Sequence, residues 1–294
     1  MIISIVKQIA KSFGVDIRAV YQKLSGLSIR AAVRAQGLSD LLEQCRQVIP
    51  DIADQYTMRF AHVEYERYWE LKIRAVHAFQ VRWMLRSLNF IMKSDARTKA
   101  IIVDIGDSSG NHGIYAKALA PAGFIDRTIS VNIDPVAVEK IRNKGCEALL
   151  CRAEDLNLGE SKVDLFMSFE MLEHLTDPTR FLHRLATSGN SEYLLMSVPY
   201  LKVSRVGLDE LRRPTLPTKM TAEGMHIFEL CPEDWLLLAR FAGWTPIFKW
   251  IYRQYPRYSP LALTAPLWRK VDFEGFFAVL LKRDLSVAER YQDW

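Results

Sequence analysis

The chain changes its hydrophobic rhythm near residue 100. Before that point, apolar positions recur at helical spacing. Ile2, Ile5, Val6, Ile9 and Phe13 form one stripe, with Lys7, Gln8, Lys11 and Ser12 opposite. Residues 15–35 continue as helix, punctuated by Gly26 and Gly37, and 38–48 predict a short helix ended by Pro50. From 51 to 99 there is neither glycine nor proline, and aromatic residues are dense: Tyr56, Phe60, Tyr65, Tyr68, Trp69, Phe79, Trp83 and Phe90. One or two long helices are predicted there, with Glu70 and Arg74 as a favourable ion pair four residues apart. The polar run from Lys93 to Lys99 marks the expected boundary between an N-terminal helical cap (1–99) and a second domain (100–294).

Beyond 100 the pattern becomes short apolar runs alternating with helices. Ile101, Ile102, Val103 and Ile105 are what a strand covered on both faces needs. Gly106, Ser108 and Gly110 then alternate in a tight turn, and Asn111 is the expected N-cap of a helix over 113–120. Strands are predicted at 127–134, 146–153, 163–169 and 192–199. Helices are predicted at 136–143, opened by Pro135, and at 179–186 after Asp177-Pro178. A long connection, 201–228, precedes a helix that starts at Cys231-Pro232 and is closed by Gly243. Residues 244–253 and 275–282 predict an antiparallel pair of last strands.

Composition narrows the class. The chain has 294 residues, 49% hydrophobic and 25% charged, as an ordinary globular protein does. No apolar run is long enough to cross a membrane, and the N-terminus lacks the features of a secretory signal. Cys45, Cys146, Cys151 and Cys231 show no C-x-x-C spacing, so reduced thiols, a cytoplasmic location and no metal site are expected. The net charge of +5 is uneven: residues 1–99 carry 16 Lys and Arg against 9 Asp and Glu, the remainder 23 against 25. That basic excess suits an anionic acceptor, RNA, or peripheral membrane contact through residues 1–13; it equally suits a solvated helical surface.

The turn at 104–110 carries the chemistry. A small-residue turn between a buried strand and a helix N-terminus lets a ligand approach the backbone. There is no Gly-Lys-Ser/Thr, so a phosphate-gripping loop is not indicated. Asp104 at the strand end would repel a pyrophosphate and attract an ammonium or sulfonium. Here the sequence resembles the class I S-adenosylmethionine-dependent methyltransferases, whose first motif is an acidic residue with three alternating glycines. Asp104, Gly106 and Gly110 match it, and Ser108 stands at the middle glycine.

The resemblance implies further roles. Asn132 falls where an acidic residue binds the ribose hydroxyls, with Ile133 and Asp134 beside it. Ala153, Glu154, Asp155 and Leu156 match a segment that reads the adenine edge, with Arg152 in place of its usual Asp. The run from Val163 to Leu175, with Ser168, Phe169, Glu170, Leu172, Glu173 and His174, resembles the fourth strand of a large methyltransferase group and borders both cofactor and acceptor. Glu170, Glu173 and His174 are also metal-ligand types, but no second ligand cluster accompanies them.

The implied architecture is three-layer, Rossmann-like α/β. It has a seven-stranded, mostly parallel sheet with the last strand antiparallel, behind the helical cap, which acts as an acceptor-side lid. The implied cofactor is S-adenosyl-L-methionine. Neither Asn-Pro-Pro-Tyr/Phe nor Pro-Cys, the marks of nucleobase methyltransferases, is present, so O-methylation of a small molecule or glycan hydroxyl is expected. An RNA methyltransferase using the basic helices and the aromatic, basic loop 255–270 is one alternative. A non-catalytic relative, motivated by Ser108, Asn132 and Arg152, is another. Hydroxyl methylation wants a base. His226 in the long connection is the first candidate, Tyr200 the next, and His174 a third with a structural or cofactor-side role. His62, His77 and His183 sit on predicted helices, and His112 beside the cofactor turn.

Overall fold

In the computed structural model, residues 17–52, 68–207, 220, 225–254 and 275–294 are described. The predicted stripe Ile2–Phe13, the aromatics Tyr56, Phe60 and Tyr65, His62, and the loop 255–270 lie outside them. So do 208–219 and 221–224 of the long connection. The N-terminal part is helical: α1 (Ile17–Ala35), α2 (Ser39–Val48) and α3 (Tyr68–Ser94). The remainder alternates as β1 (Ala100–Ile105), α4 (Asn111–Leu119), β2 (Ile125–Asn132), α5 (Pro135–Asn143), β3 (Glu147–Leu150), β4 (Leu165–Phe169), α6 (Pro178–Ser188) and β5 (Tyr193–Tyr200). It ends with β6 (Arg205–Val206), β7 (Phe228–Glu229), α7 (Pro232–Phe241), β8 (Trp244–Arg253) and β9 (Gly275–Arg283).

Seven strands form one sheet in the order β3-β2-β1-β4-β5-β9-β8, and β6 pairs β7 separately. The pairs among β1 to β5 are parallel, while β9 runs antiparallel to β5 and β8. This is the expected three-layer, Rossmann-like α/β sheet with its last strand reversed. The all-apolar reading of β1 follows from coverage of both faces. Ile102 joins Leu165, Met167, Leu195 and Leu280 on one face, packed with Phe79, Met84 and Ile91 of α3. Val103 and Ile105 join Phe166, Leu194 and Met196 on the other, packed with Leu182 of α6 and Trp235 of α7. Side chains alternate along a strand, so Asp104 faces the α3 side with Ile102, and Ser197 faces it with Leu195.

The helices of residues 17–94 therefore share a continuous apolar core with one sheet face. Arg74, buried in α3, locks the preceding chain. Its Nε donates to Glu70 Oε1 at 2.6 Å, and its two terminal nitrogens donate to the carbonyls of Ile49 and Pro50. The expected Glu70–Arg74 pair forms, and the same arginine fixes the link after α2. Gln36, just past α1, covers the edge strand. Its amide nitrogen donates to Arg253 O and its amide oxygen accepts from Arg253 N, both at 3.1 Å. A side-chain amide thus satisfies the backbone of the exposed edge of β8.

Candidate functional site

The site lies at the carboxyl ends of β1, β2, β4 and β5, where crossovers leave a crevice in such sheets. The turn after β1 is held from within by a residue the sequence reading did not single out. Asp107 is buried, and its Oδ1 accepts from Ser109 N (3.0 Å) and Gly110 N (2.9 Å). Its Oδ2 accepts from the Ser130 hydroxyl at 2.6 Å. Gly110, at φ 75°, is the N-cap of α4, and Asn111 is the first helical residue, so the expected Asn111 cap is corrected. A glycine takes this left-handed cap without a Cβ penalty, and Asp107 rather than a capping side chain satisfies the turn's N–H groups. Lys144 ties the turn from outside, its Nζ donating to Ser109 O at 2.7 Å.

Gly106 is constrained differently. Its φ is 91°, and an added Cβ would lie 2.5 Å from Met171 Cγ. Met171 thus packs on the side of Gly106 where a Cβ would stand, while the residue keeps intermediate exposure. Among described residues, only Ala96 and Glu170 combine a side chain with positive φ. Ser108 therefore stands at the middle glycine position without backbone strain.

A buried chain of polar side chains crosses from the turn to β4. Asp104 Oδ2 lies 3.1 Å from His112 Nδ1, and His112 Nε2 lies 3.1 Å from Gln80 Oε1 of α3. Gln80 Nε2 donates to the Ser197 hydroxyl at 3.1 Å, which donates to Glu170 Oε1 at 2.7 Å. Burial, then the charge of Asp107, raises the Asp104 pKa, and His112 pulls part of that back. For His112, burial acts downward but the bond and charge of Asp104 outweigh it, and its pKa is raised. Burial lifts Glu170 to about 8 against the Ser197 bond. Burial and the neighbouring His112 push His77 well below the usual imidazole range.

Gln80 and Ser197 were not predicted as site residues. The available signals were an amide between Phe79 and Val81 on an aromatic helix, and a hydroxyl within the apolar run of β5. Glu170 has φ 53°, a conformation rare outside glycine, and half-buried exposure. Such strain concentrates where surrounding structure imposes it, often at functional sites.

A second cluster follows in the turn Leu172–His174. Glu173 is 1% exposed, and neither carboxylate oxygen has a hydrogen-bond partner. Burial, then Glu170 and Glu229, holds its pKa well above the carboxylate range. The His174 and His226 rings meet edge to face at 4.5 Å between centroids. His226 Nδ1 lies 3.3 Å from Glu229 Oε1, and Arg205 Nε donates to Glu229 Oε2. The cluster is assembled by backbone: Ile227 N donates to Glu173 O at 2.8 Å, and Gly207 N to Ile227 O at 2.7 Å.

The remaining predicted residues fall as follows. Asn132 is used on both sides by the scaffold: its Nδ2 donates to Asp107 O (2.9 Å), and its Oδ1 accepts from Asp134 N (2.8 Å). The Asp134 carboxylate caps α5 through Val136 N at 2.9 Å. Ile133, Val136 and Leu150 are each more than half exposed around the ends of β2 and β3. Ala153 and Glu154 line a cleft of about 330 Å³ with Arg184 and Leu185 of α6. Phe169 is buried, with His112 4.5 Å away between ring centroids. Tyr200 is 7% exposed, and the Arg253 guanidinium lies 5.5 Å from its ring centroid. The structure thus joins His174 to His226 and leaves Tyr200 packed at the end of β5.

Residues 104–188 match the family model described as a methyltransferase domain. No curated protein matches the chain. Many solved structures are similar, among them the following three. Magnesium protoporphyrin IX methyltransferase of Synechocystis PCC 6803, with bound S-adenosylmethionine, is 12% identical with a TM-score of 0.47 over 88% of this chain and 97% of that one. The 1,6-didemethyltoxoflavin-N1-methyltransferase of Burkholderia thailandensis is 14% identical, with a TM-score of 0.46 over 72% and 85%. An S-adenosylmethionine-dependent methyltransferase of Mesorhizobium loti is 15% identical, with a TM-score of 0.45 over 64% and 93%. The matched region begins at Asp104 and runs through the turn, β4 and α6, so residues 104–188 match a methyltransferase domain within a Rossmann-like seven-stranded sheet.

Proposed function

We propose that this protein transfers the methyl group of S-adenosylmethionine to a hydroxyl of a small molecule or glycan. The observation that carries the proposal is the Asp107-braced turn between β1 and α4, inside the region matching the methyltransferase family. The residues present fit this cofactor. The half-exposed Gly106 and Ser108 offer main chain at a helix N-terminus, and Ile133, Val136 and Leu150 offer apolar surface for a purine ring. Asn132 and Asp134 are the proposed ribose partners, and Ala153, Glu154, Phe169 and Glu170 border the cofactor. The cofactor supplies an activated methyl. This chain's residues then have to align the acceptor, which carries most of the rate, and receive a proton.

His226 is the proposed proton acceptor. Its support is the partly exposed position against His174 and above buried carboxylates, in the connection beyond β5. Tyr200 is less favoured, because its ring is packed under Arg253. The helices within 1–99 are proposed as the cap on the acceptor side, supported by Gln80 of α3 reaching into the site.

Calorimetric titration with S-adenosylmethionine and S-adenosylhomocysteine tests the reading, followed by a screen of metabolite extracts for acceptance of labelled methyl. Saturable binding and a labelled small molecule or glycan are expected. Absence of binding overturns the proposal. Label carried only by RNA would favour the use of the basic N-terminal helices instead, and binding without any turnover would mark a non-catalytic relative.

A further inference from the structure

We propose that Glu173, His174 and His226 form a binding site for a divalent transition cation of the zinc type. The ligand atoms of these three residues lie within 4.8 Å of one another. Glu173 supplies the independent observation. It is a carboxylate at 1% exposure with both oxygens lacking hydrogen-bond partners. An acid buried in that manner is destabilising unless something charged or hydrogen-bonding meets it.

The imidazoles are oriented as ligands. His174 Nδ1 lies 2.9 Å from the Met225 carbonyl, which can only accept, so Nδ1 carries the proton and Nε2 the lone pair. That Nε2 is 3.9 Å from Glu173 Oε1. Behind His226 stands Glu229, whose Oε1 lies 3.3 Å from Nδ1 without a hydrogen bond between them and whose Oε2 is held by Arg205. A carbonyl behind a histidine, as at His174, is how protein metal sites fix ring orientation, and Glu229 is placed to do the same for His226 once its ring turns toward a cation. The side chains of His174 and His226 keep 14% and 18% of their surface, so the site opens on one side. Two imidazoles and one carboxylate with an open position suit zinc and its neighbours better than magnesium or calcium, which prefer all-oxygen sets.

The contrast with Asp104, Asp107 and His112 supports the assignment. Those three also bring ligand atoms within 4.8 Å. There Asp104 is paired with His112, and Asp107 accepts three hydrogen bonds, so the carboxylates are already satisfied. Cation binding at Glu173 does not depend on the methyl-transfer reading. Its use does: with the cation bound, His226 would serve as a ligand and the cation would lower the pKa of the acceptor hydroxyl, while in the cation-free chain His226 is the proposed proton acceptor.

The test uses the full chain stripped with chelator, titrated with Zn²⁺, Co²⁺ and Mg²⁺ in the absence of cofactor and acceptor. One equivalent of Zn²⁺ or Co²⁺ is expected to bind, with Mg²⁺ much weaker. Glu173→Gln and His226→Ala should each abolish saturable binding, and Glu229→Gln should weaken it about tenfold. Cys231→Ser should leave it intact. The Co²⁺ absorption spectrum of the unaltered chain should show the intense visible bands of a four- or five-coordinate site, which keeps the test decisive if a variant fails to fold. No saturable binding, binding indifferent to both ligand variants, or a weak octahedral spectrum overturns the inference. Parallel titration with S-adenosylmethionine separates its failure from failure of the methyltransferase reading.

Discussion

Two acidic clusters sit a few residues beyond neighbouring strand ends, and they are held in opposite ways. In the turn after β1, Asp107 is buried and accepts two backbone N–H groups and a hydroxyl. In the turn after β4, Glu173 is as deeply buried and accepts nothing at either oxygen. The first carboxylate works as part of the backbone: removing it leaves donors unsatisfied inside the protein. The second has no hydrogen-bonding work at its oxygens, and that is the observation on which the proposed cation site rests. Burial alone does not distinguish a structural acid from a ligand-binding acid; the count of satisfied lone pairs does.

The strongest way to break the comparison is to remove each acid. Asp107→Ala should cost about 3–5 kcal/mol, because three donors lose their acceptor at about 1–3 kcal/mol each with some relaxation. Urea unfolding measures it, and a cost within error of zero would show that the turn does not depend on Asp107. Glu173→Gln should instead leave the chelator-stripped chain within about 1 kcal/mol of its original stability, since burial already favours the neutral acid and neither oxygen loses a hydrogen bond. A destabilised Glu173→Gln chain in the same measurement would place Glu173 with the structural acids.

The pH dependence sharpens the same point. Glu170 has a folded pKa of about 8 against an ordinary value near 4.5. The folded state therefore binds more protons between those values, and stability falls as pH rises through that window. The raised values of Asp104 and His112 act in the same direction. The melting temperature should thus rise as pH is lowered from about 8 toward 6, and Glu170→Gln should flatten part of that slope. A melting temperature that increases with pH across the window contradicts the assignment.

A smaller effect is expected at Asn132. Asn132→Asp restores the carboxylate of the family motif but sets it against the Asp107 carbonyl that Nδ2 now donates to. A loss of about 1 kcal/mol is expected, with no gain in cofactor affinity by calorimetry. Tighter cofactor binding would show instead that the ribose takes precedence over the scaffold. Smallest of all, Cys45 is fully buried and its thiol is pushed up to about 12, chiefly by burial. It should resist thiol reagents in the native chain while the partly exposed Cys231 reacts; labelling of Cys45 at the rate of Cys231 would show that α2 opens readily.

By itself the sequence determined the sheet and the place of the turn. Periodicity is a property of neighbouring residues, so Ile101–Ile105 read as a two-faced strand, and residues 244–253 with 275–282 read as the closing antiparallel pair. Pro135 and Pro178 opened their helices as expected for the same reason. Asp104, Gly106 and Gly110 were found because a tight turn has to be built from consecutive residues.

What the tertiary structure decided concerns partners far apart in the chain. Gln80 meets Ser197 across 117 positions, and His174 meets the carbonyl of Met225 across 51. No local pattern encodes such meetings, because they depend on which sheet face a helix covers and where a long connection returns. The Asp107 role was hidden for a related reason. A carboxylate inside a glycine-rich turn reads as solvated until the fold shows that Ser130 of the neighbouring strand stands against it. The same holds for Glu173: the motif marked the residue, but only the return of His226 and Glu229 past Arg205 enclosed it and left its two oxygens without hydrogen-bond donors.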